Sequence, residues 1–196
     1  MGVGGFMPKI VDHNLYRIEL LSKSLPIFVS KGVASVSMRE LSKELGVSTG
    51  TLYHYFPTKE ALFTSMVKHL VSSDAEAIHK LTEDNTSIID IMNFVAGKEG
   101  HFMNLMLLAV DVKRQHSDSK ELIQLLEESF NAYEMALNRF FPKETEGKGG
   151  KAFLSFFVGV LFLKSKGEEG TPWMDLFEGL KYLGDFFSAK ELHNNH

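Results

Sequence analysis

A chain of 196 residues with 44% hydrophobic content suits one medium domain, or a small domain joined to a larger one, with ample apolar material for a core. The absence of cysteine excludes a disulfide framework and any cysteine-based metal or nucleophile site, and a reducing, cytoplasmic setting is the expectation. No apolar run reaches the roughly 18 residues of a membrane span, and Met1 to Pro8 lacks the basic region and apolar core of a signal peptide, so no membrane partner is expected.

The net charge of −4 is unevenly spread. Residues 1–60 hold seven Lys/Arg and five Asp/Glu, a net of +2, and the remainder holds 14 and 20, a net of −6. A weakly basic head on an acidic body would orient the molecule on a polyanion. A head of +2 is feeble, so useful affinity would need two heads on one duplex.

The first predicted helix spans about 12–31, with Ile18, Leu21, Leu25 and Phe28 as its core stripe. Pro26 lies inside it and is expected to kink or loosen the last turns, because proline removes a helix hydrogen bond. Ser37 and Glu40 then form an S-x-x-E capping box that opens a second helix, with Leu41 and Leu45 as its apolar stripe. Gly46 ends it, since glycine takes the left-handed conformation of a C′ position. Ser48 caps a third helix, whose buried pair is Leu52 and Phe56. Thr58 caps a fourth, with Glu60 in its first turn, running to about residue 80 through Leu62, Met66, His69 and Leu70.

Helix, glycine turn and helix within 37–60 is what a helix-turn-helix requires, and the second helix of such a unit enters a DNA major groove. It would carry Thr49, Gly50, Thr51, Tyr53, His54 and Tyr55 away from Leu52 and Phe56, as small and hydrogen-bonding groups suited to backbone and base-edge contacts. By chemistry alone, an ordinary helical hairpin with polar residues facing water is the alternative.

Residues 10–64 resemble the DNA-binding domain of the tetracycline-repressor (TetR) family. The family pattern has an aromatic-x-x-x-Gly end to the first helix, then G-V-S-x-G-x-L-Y-x-[HY]-F-x-x-K-x-x-L. Here Phe28 to Gly32, then Gly46, Val47, Ser48, Gly50, Leu52, Tyr53, Tyr55, Phe56, Lys59 and Leu62 match it. Pro26 departs from it.

The resemblance implies an all-α fold of about nine helices. Residues 8–64 would be a three-helix helix-turn-helix DNA-binding domain, and 65–190 a helical effector-binding and dimerisation domain. It implies Ser37 and Arg39 as phosphate or groove contacts and Lys59 as a phosphate clamp at a helix N-terminus. Ser48, Thr49, Gly50, Thr51, Tyr53, His54 and Tyr55 would be the recognition set. Thr49 stands where many members carry a basic side chain, which leaves base preference there open.

Beyond the motif, Asp84 to Ser87 reads as a turn and cap. Residues 88–97 and 99–116 read as two helices broken near Gly97 and Gly100. Residues 119–141 read as a long helix ending at Pro142, and Lys143 to Gly150 as a Gly- and charge-rich loop. Residues 151–164 are apolar around the whole helix, which predicts burial on all sides. Residues 173–187 form a clean stripe.

The two last helices hold more apolar surface than one chain covers. The resemblance implies a homodimer through Phe156, Gly159, Phe162, Leu163, Trp173, Leu176, Phe177, Leu180 and Gly184; the plainer reading is that they finish the monomer core.

The body is rich in soft and aromatic side chains. Phe94, His101, Phe102, Met103, Met106, Phe130, Tyr133 and Phe153 are candidates for a small-molecule effector pocket. The same apolar residues at helical spacing also serve as plain core, and His101 also reads as a surface histidine at a helix end. His69 with His79, and His193 with His196, lack metal-ligand spacing with supporting carboxylates, so neither metal nor cofactor is expected. No catalytic motif appears.

The expected function is therefore a ligand-responsive DNA-binding transcriptional regulator, a repressor released from a palindromic double-stranded operator by a small apolar or amphipathic effector. A helical dimeric protein-interaction module with a non-DNA-binding head is the alternative, and an all-helical enzyme the third.

Overall fold

Eight helices make up the described residues of the computed structural model, which are 12–83, 88–141, 146, 148–164 and 178–179. They are α1 (His13–Lys31), α2 (Met38–Glu44), α3 (Thr49–Tyr55), α4 (Lys59–Glu83), α5 (Ile88–Gly97), α6 (Glu99–Gln115), α7 (Lys120–Asn138) and α8 (Lys148–Lys164). Among these residues there is no strand. No helix among them is long and apolar enough to cross a membrane, and no cluster of His, Cys, Asp and Glu among them suits a metal ion.

Local chemistry accounts for the helix ends in the head. Asp12 caps α1 by accepting from Asn14 and Leu15 N–H. Ser37 and Glu40 close the capping box on α2. At its other end Gly46 N–H bonds to Lys43 C=O (3.2 Å) and Val47 N–H to Ser42 C=O (2.9 Å). That Schellman pair needs a left-handed residue, and Gly46 has φ +70°. Ser48 Oγ accepts from Thr51 N–H (2.9 Å) and Thr58 Oγ1 from Ala61 N–H (3.0 Å), opening α3 and α4. Each such cap contributes about 1 kcal/mol.

The first core packs α1, α2 and α3 against α4 around Leu21, Phe28, Leu41, Leu52, Phe56 and Phe63, all at most 1% exposed. Phe28 and Phe63 meet edge to face at 5.2 Å. Burying such a side chain contributes roughly 1.5–3 kcal/mol. The same core continues through Met66 and Val67 to Leu108, Val112, Leu122 and Leu125, so apolar packing crosses residue 64 without interruption along α4. A second core, around Ile78, Ile91, Phe102, Leu137, Phe157 and Leu161, joins α4 to α8.

Several expectations need correction. Ile18 is 40% exposed, and its place in the α1 stripe is taken by Leu20, 2% exposed. The helix continues through Pro26 over the span expected, and Ser22 and Pro26 both lie on its exposed face. α7 stops at Asn138, three residues early. The chain there tightens into Phe140 N–H to Leu137 C=O and Phe141 N–H to Asn138 C=O bonds, as the residue before Pro142 disfavours helix.

The predicted loop before residue 151 is shorter than expected, because α8 already begins at Lys148. Gly150 belongs to a helix–helix contact: a Cβ there would lie 2.6 Å from the Glu134 carbonyl oxygen, and Asn138 Oδ1 accepts its N–H at 2.7 Å. α8 is not buried on all sides within the chain, since Phe162 is 52% and Leu163 44% exposed. The turn at 84–87 and most of the stripe at 173–187 lie outside the described residues.

Candidate nucleic-acid interface and buried cavity

α3 is a seven-residue helix held from three sides. Leu52 and Phe56 anchor it in the core, Ser48 caps it, and Thr49 Oγ1 bonds to Ser42 Oγ on α2 (3.0 Å). Tyr55 is half-buried: its hydroxyl pairs with His13 Nδ1 (2.8 Å) and its ring packs at 5.6 Å from Tyr16. Gly50, Tyr53 and His54 are left facing solvent, with Thr51 half-exposed beside them. Of the seven residues assigned to recognition, Thr49 and Tyr55 therefore turn to the protein. Ser48, though exposed, spends its hydroxyl on Thr51.

The other assigned contacts are similarly divided. Ser37 is exposed, but its Oγ donates to Glu40 Oε2 (2.7 Å). Lys59 Nζ donates to the Ala34 carbonyl (2.7 Å), which fixes the ammonium near the start of α4 and leaves two of its three donors for another acceptor.

Most other head cations are occupied. Lys23 pairs with Glu19 and Lys31 with Glu44, while Arg17 donates to Ser65 and stacks over Phe56 at 5.1 Å. Arg39 and Lys43 on α2 are exposed and make no ion pair among the described residues. Lys43 was not singled out from the sequence, and its signal is its place on the polar side of α2, opposite Leu41 and Leu45.

In the body, α4, α6, α7 and α8, with Val95 of α5, line a partly open cavity of about 100 Å³ whose wall is wholly apolar. Phe102, Met106, Phe130, Tyr133 and Phe153 line it. Phe94 and Met103 pack against the second core, and neither they nor His101 are among the lining residues.

His101 is instead tied into a buried polar cluster centred on Asp74, which is 2% exposed. Asp74 accepts from His101 Nε2 (2.6 Å), the Tyr133 hydroxyl (2.9 Å) and Lys98 Nζ (3.2 Å). Burial pushes the Asp74 carboxyl up, but the hydrogen bonds from His101, Tyr133 and Lys98 and the charge at His101 outweigh it and hold the group below its ordinary value. Burial and the Asp74 charge push the Tyr133 phenol far up, so it stays a neutral donor.

Asp74 was missed from the sequence, yet it had a signal. It occupies the third place of the α4 stripe 67, 71, 74, 78, where the other three are Val67, Val71 and Ile78. A carboxylate on an apolar stripe must find buried partners.

α6 serves both regions. It lines the cavity through Phe102, Leu105 and Ala109, and two residues on, Asp111 Oδ2 accepts the Val33 N–H of the α1–α2 connection (3.3 Å). Among the assigned dimer residues, Gly159 is exposed on α8, and a methyl group placed on its Cα would meet nothing among the described residues within 4 Å, while Phe156 is half-buried. Trp173, Leu176, Phe177, Leu180 and Gly184 lie outside the described residues.

Residues 20–66 match the family model described as bacterial regulatory proteins, tetR family. The chain is 42% identical over 50 residues, 26% of its length, to the uncharacterised HTH-type transcriptional regulator YuxN of Bacillus subtilis. It is 28% identical over 140 residues to the HTH-type transcriptional regulator SAUSA300_2515 of Staphylococcus aureus, covering 70% of this chain and 66% of that protein. The matches to YuxN and two further Bacillus subtilis regulators span 17–30% of those proteins' own lengths.

The fold is similar to that of a solved TetR/AcrR-family transcriptional regulator, with TM-score 0.68 and 20% identity over 86% of this chain and 98% of that one. It is also similar to FadR of Bacillus subtilis, solved with stearoyl-CoA, with TM-score 0.61 and 16% identity over 85% and 96%. At these identities the likeness speaks for the fold alone.

Proposed function

We propose, from the premise that this chain is a TetR-family transcriptional regulator with a helix-turn-helix head and not an enzyme, that it is a repressor released from a palindromic operator by a small ligand bound in its body. The observation that carries the reading is the outer face of α3. Gly50, Tyr53 and His54 face solvent on a helix whose inner side is fully anchored, and Arg39 and Lys43 lie exposed on the preceding helix. Such a face meets a groove without reorganising, so little ordering entropy opposes binding. We assign base and phosphate contacts to Arg39, Gly50, Thr51, Tyr53, His54 and Lys59.

The weak charge of one head favours a dimer, since two linked heads on one duplex multiply their affinities. We assign α8 to that dimer, with Gly159 as a point of close helix approach. Ligand response is supported by α6, which forms a wall of the cavity and also holds Val33 in the head. A ligand shifts the heads only as far as it binds the two arrangements with different affinity.

The test is fluorescence anisotropy with duplexes from the chain's own upstream region and scrambled controls, across a salt series. The expected result is specific binding that weakens steeply with salt. No preference for any duplex over scrambled DNA would overturn the reading in favour of a protein-interaction module.

A further inference from the structure

We propose that the body cavity takes a small uncharged hydrocarbon-like molecule, on the scale of benzene or toluene, and not an acyl chain with an anionic head. This rests on the reading of the body as a ligand-binding unit and narrows it to one chemical class.

Hydrogen-bond accounting of the wall carries the inference. Two lining side chains bear hydroxyls, Ser129 and Tyr133, and both are committed elsewhere. Ser129 Oγ donates to the Leu125 carbonyl at 2.7 Å, and the Tyr133 hydroxyl donates to Asp74 at 2.9 Å. The surface left facing the cavity is wholly apolar.

The nearby charges are equally committed. Asp74 is shared among His101, Lys98 and Tyr133, and Lys98 also stands over the Phe94 ring at 4.8 Å. None of these charged groups is among the described residues lining the cavity. A ligand carboxylate or phosphate inside would lose its water and gain no donor.

Volume points the same way. At about 100 Å³ the cavity is below the roughly 300–1,000 Å³ of pockets for drug-sized ligands. It is of the order of an engineered apolar cavity of about 150 Å³ that takes up benzene. Phe130 both lines the cavity and is 42% exposed, so its ring reaches from the interior to solvent and marks the way in.

The experiment is calorimetric titration of the full-length protein, without DNA, with toluene, phenol and benzoate at neutral pH. Toluene is expected to bind best, phenol about 10-fold more weakly because its hydroxyl finds no partner, and benzoate at least about 100-fold more weakly. Ala109→Leu fills the cavity from α6 and Val158→Phe from α8. Either variant that still melts cooperatively is expected to lose toluene binding, and having two guards against one failing to fold.

Benzoate or an acyl-CoA binding more tightly than toluene would overturn the proposal, as would toluene binding unchanged in the filled variants or no toluene binding at all. Because DNA is absent, the outcome is separate from operator recognition. Toluene binding without operator binding supports this inference alone, and the reverse sinks it alone.

Discussion

Asp111 on α6 accepts a hydrogen bond from the backbone N–H of Val33, 78 residues earlier in the chain, at 3.3 Å. The other oxygen of the same carboxylate receives Gln115 Nε2 from the next turn of α6. The head's α1–α2 connection is thereby fastened to the helix that walls the cavity. A ligand that displaces α6 by a fraction of an ångström meets the head at this bond, as well as through the apolar packing of α4.

Asp111→Ala is predicted to cost about 1.5–3 kcal/mol of folding stability, the worth of a hydrogen bond to a charged acceptor. It should leave operator affinity near wild type while reducing the ligand's effect on that affinity. Asp111→Asn keeps an acceptor oxygen and should retain most of the effect. The measurement is operator affinity with and without ligand for all three proteins. A full response in Asp111→Ala would remove this bond from the route.

Lys59 separates charge from tethering. Lys59→Gln keeps a donor for the Ala34 carbonyl but removes the cation. If the ammonium contacts a phosphate, the salt dependence of binding should flatten by about one unit of slope. An unchanged slope in anisotropy titrations would end the clamp assignment. Tyr53→Ala should weaken binding to all sequences. Thr51→Ala should change sequence preference and also loosen the start of α3, because its hydroxyl bonds to Ser48, whereas Thr49→Ala should alter stability only, because Thr49 is turned toward α2 with its hydroxyl on Ser42.

Asp74 predicts an acid-sensitive body. Its folded-state carboxyl ionises below its unfolded value of about 3.9, so its contribution is present above that pH and is lost as the pH falls below it toward the folded value. Urea melts of Asp74→Asn should show a loss of about 2–3 kcal/mol at neutral pH, with Lys98 partly screened by water, and a flatter decline of stability below about pH 4. Equal acid limbs in the variant and wild type would assign the decline to other carboxylates.

Gly159 tests the dimer without disturbing the chain's own fold. A Cβ there meets nothing among the described residues within 4 Å, so Gly159→Leu should melt at or above the wild-type temperature when dilute. If helices of two copies approach at this point, the added side chain should raise the dimer dissociation constant by about tenfold or more, read by sedimentation. A wild-type protein monomeric at micromolar concentration would refute the interface, and an unperturbed dimer would place it elsewhere on the surface.

The features set by the sequence are those whose cause lies within a few residues. Ser37 with Glu40, Gly46, Ser48 and Thr58 cap or end helices through bonds spanning three to five positions, so the order and bounds of α2, α3 and the start of α4 were readable directly. The break around Lys98 was readable for the same reason. The TetR-type motif is itself a string of such local requirements, which is why the family was visible before the fold.

What tertiary structure decided is which neighbour each face meets. Periodicity placed Ile18 in the α1 stripe, but the packed helix leaves it exposed and buries Leu20 instead. It set Thr49 and Tyr55 on the outside, where Ser42 and His13 drew them in. Gly149 and Gly150 read as loop until Phe141 was laid against the first and α7 against the second. Asp74 and Tyr133 are 59 residues apart, and Val33 and Asp111 are 78 apart. A helix pattern states that a face is apolar and where it lies around the axis. It holds no information about the distance or identity of the surface that will cover it, and the cavity and both long-range polar links arise from that surface.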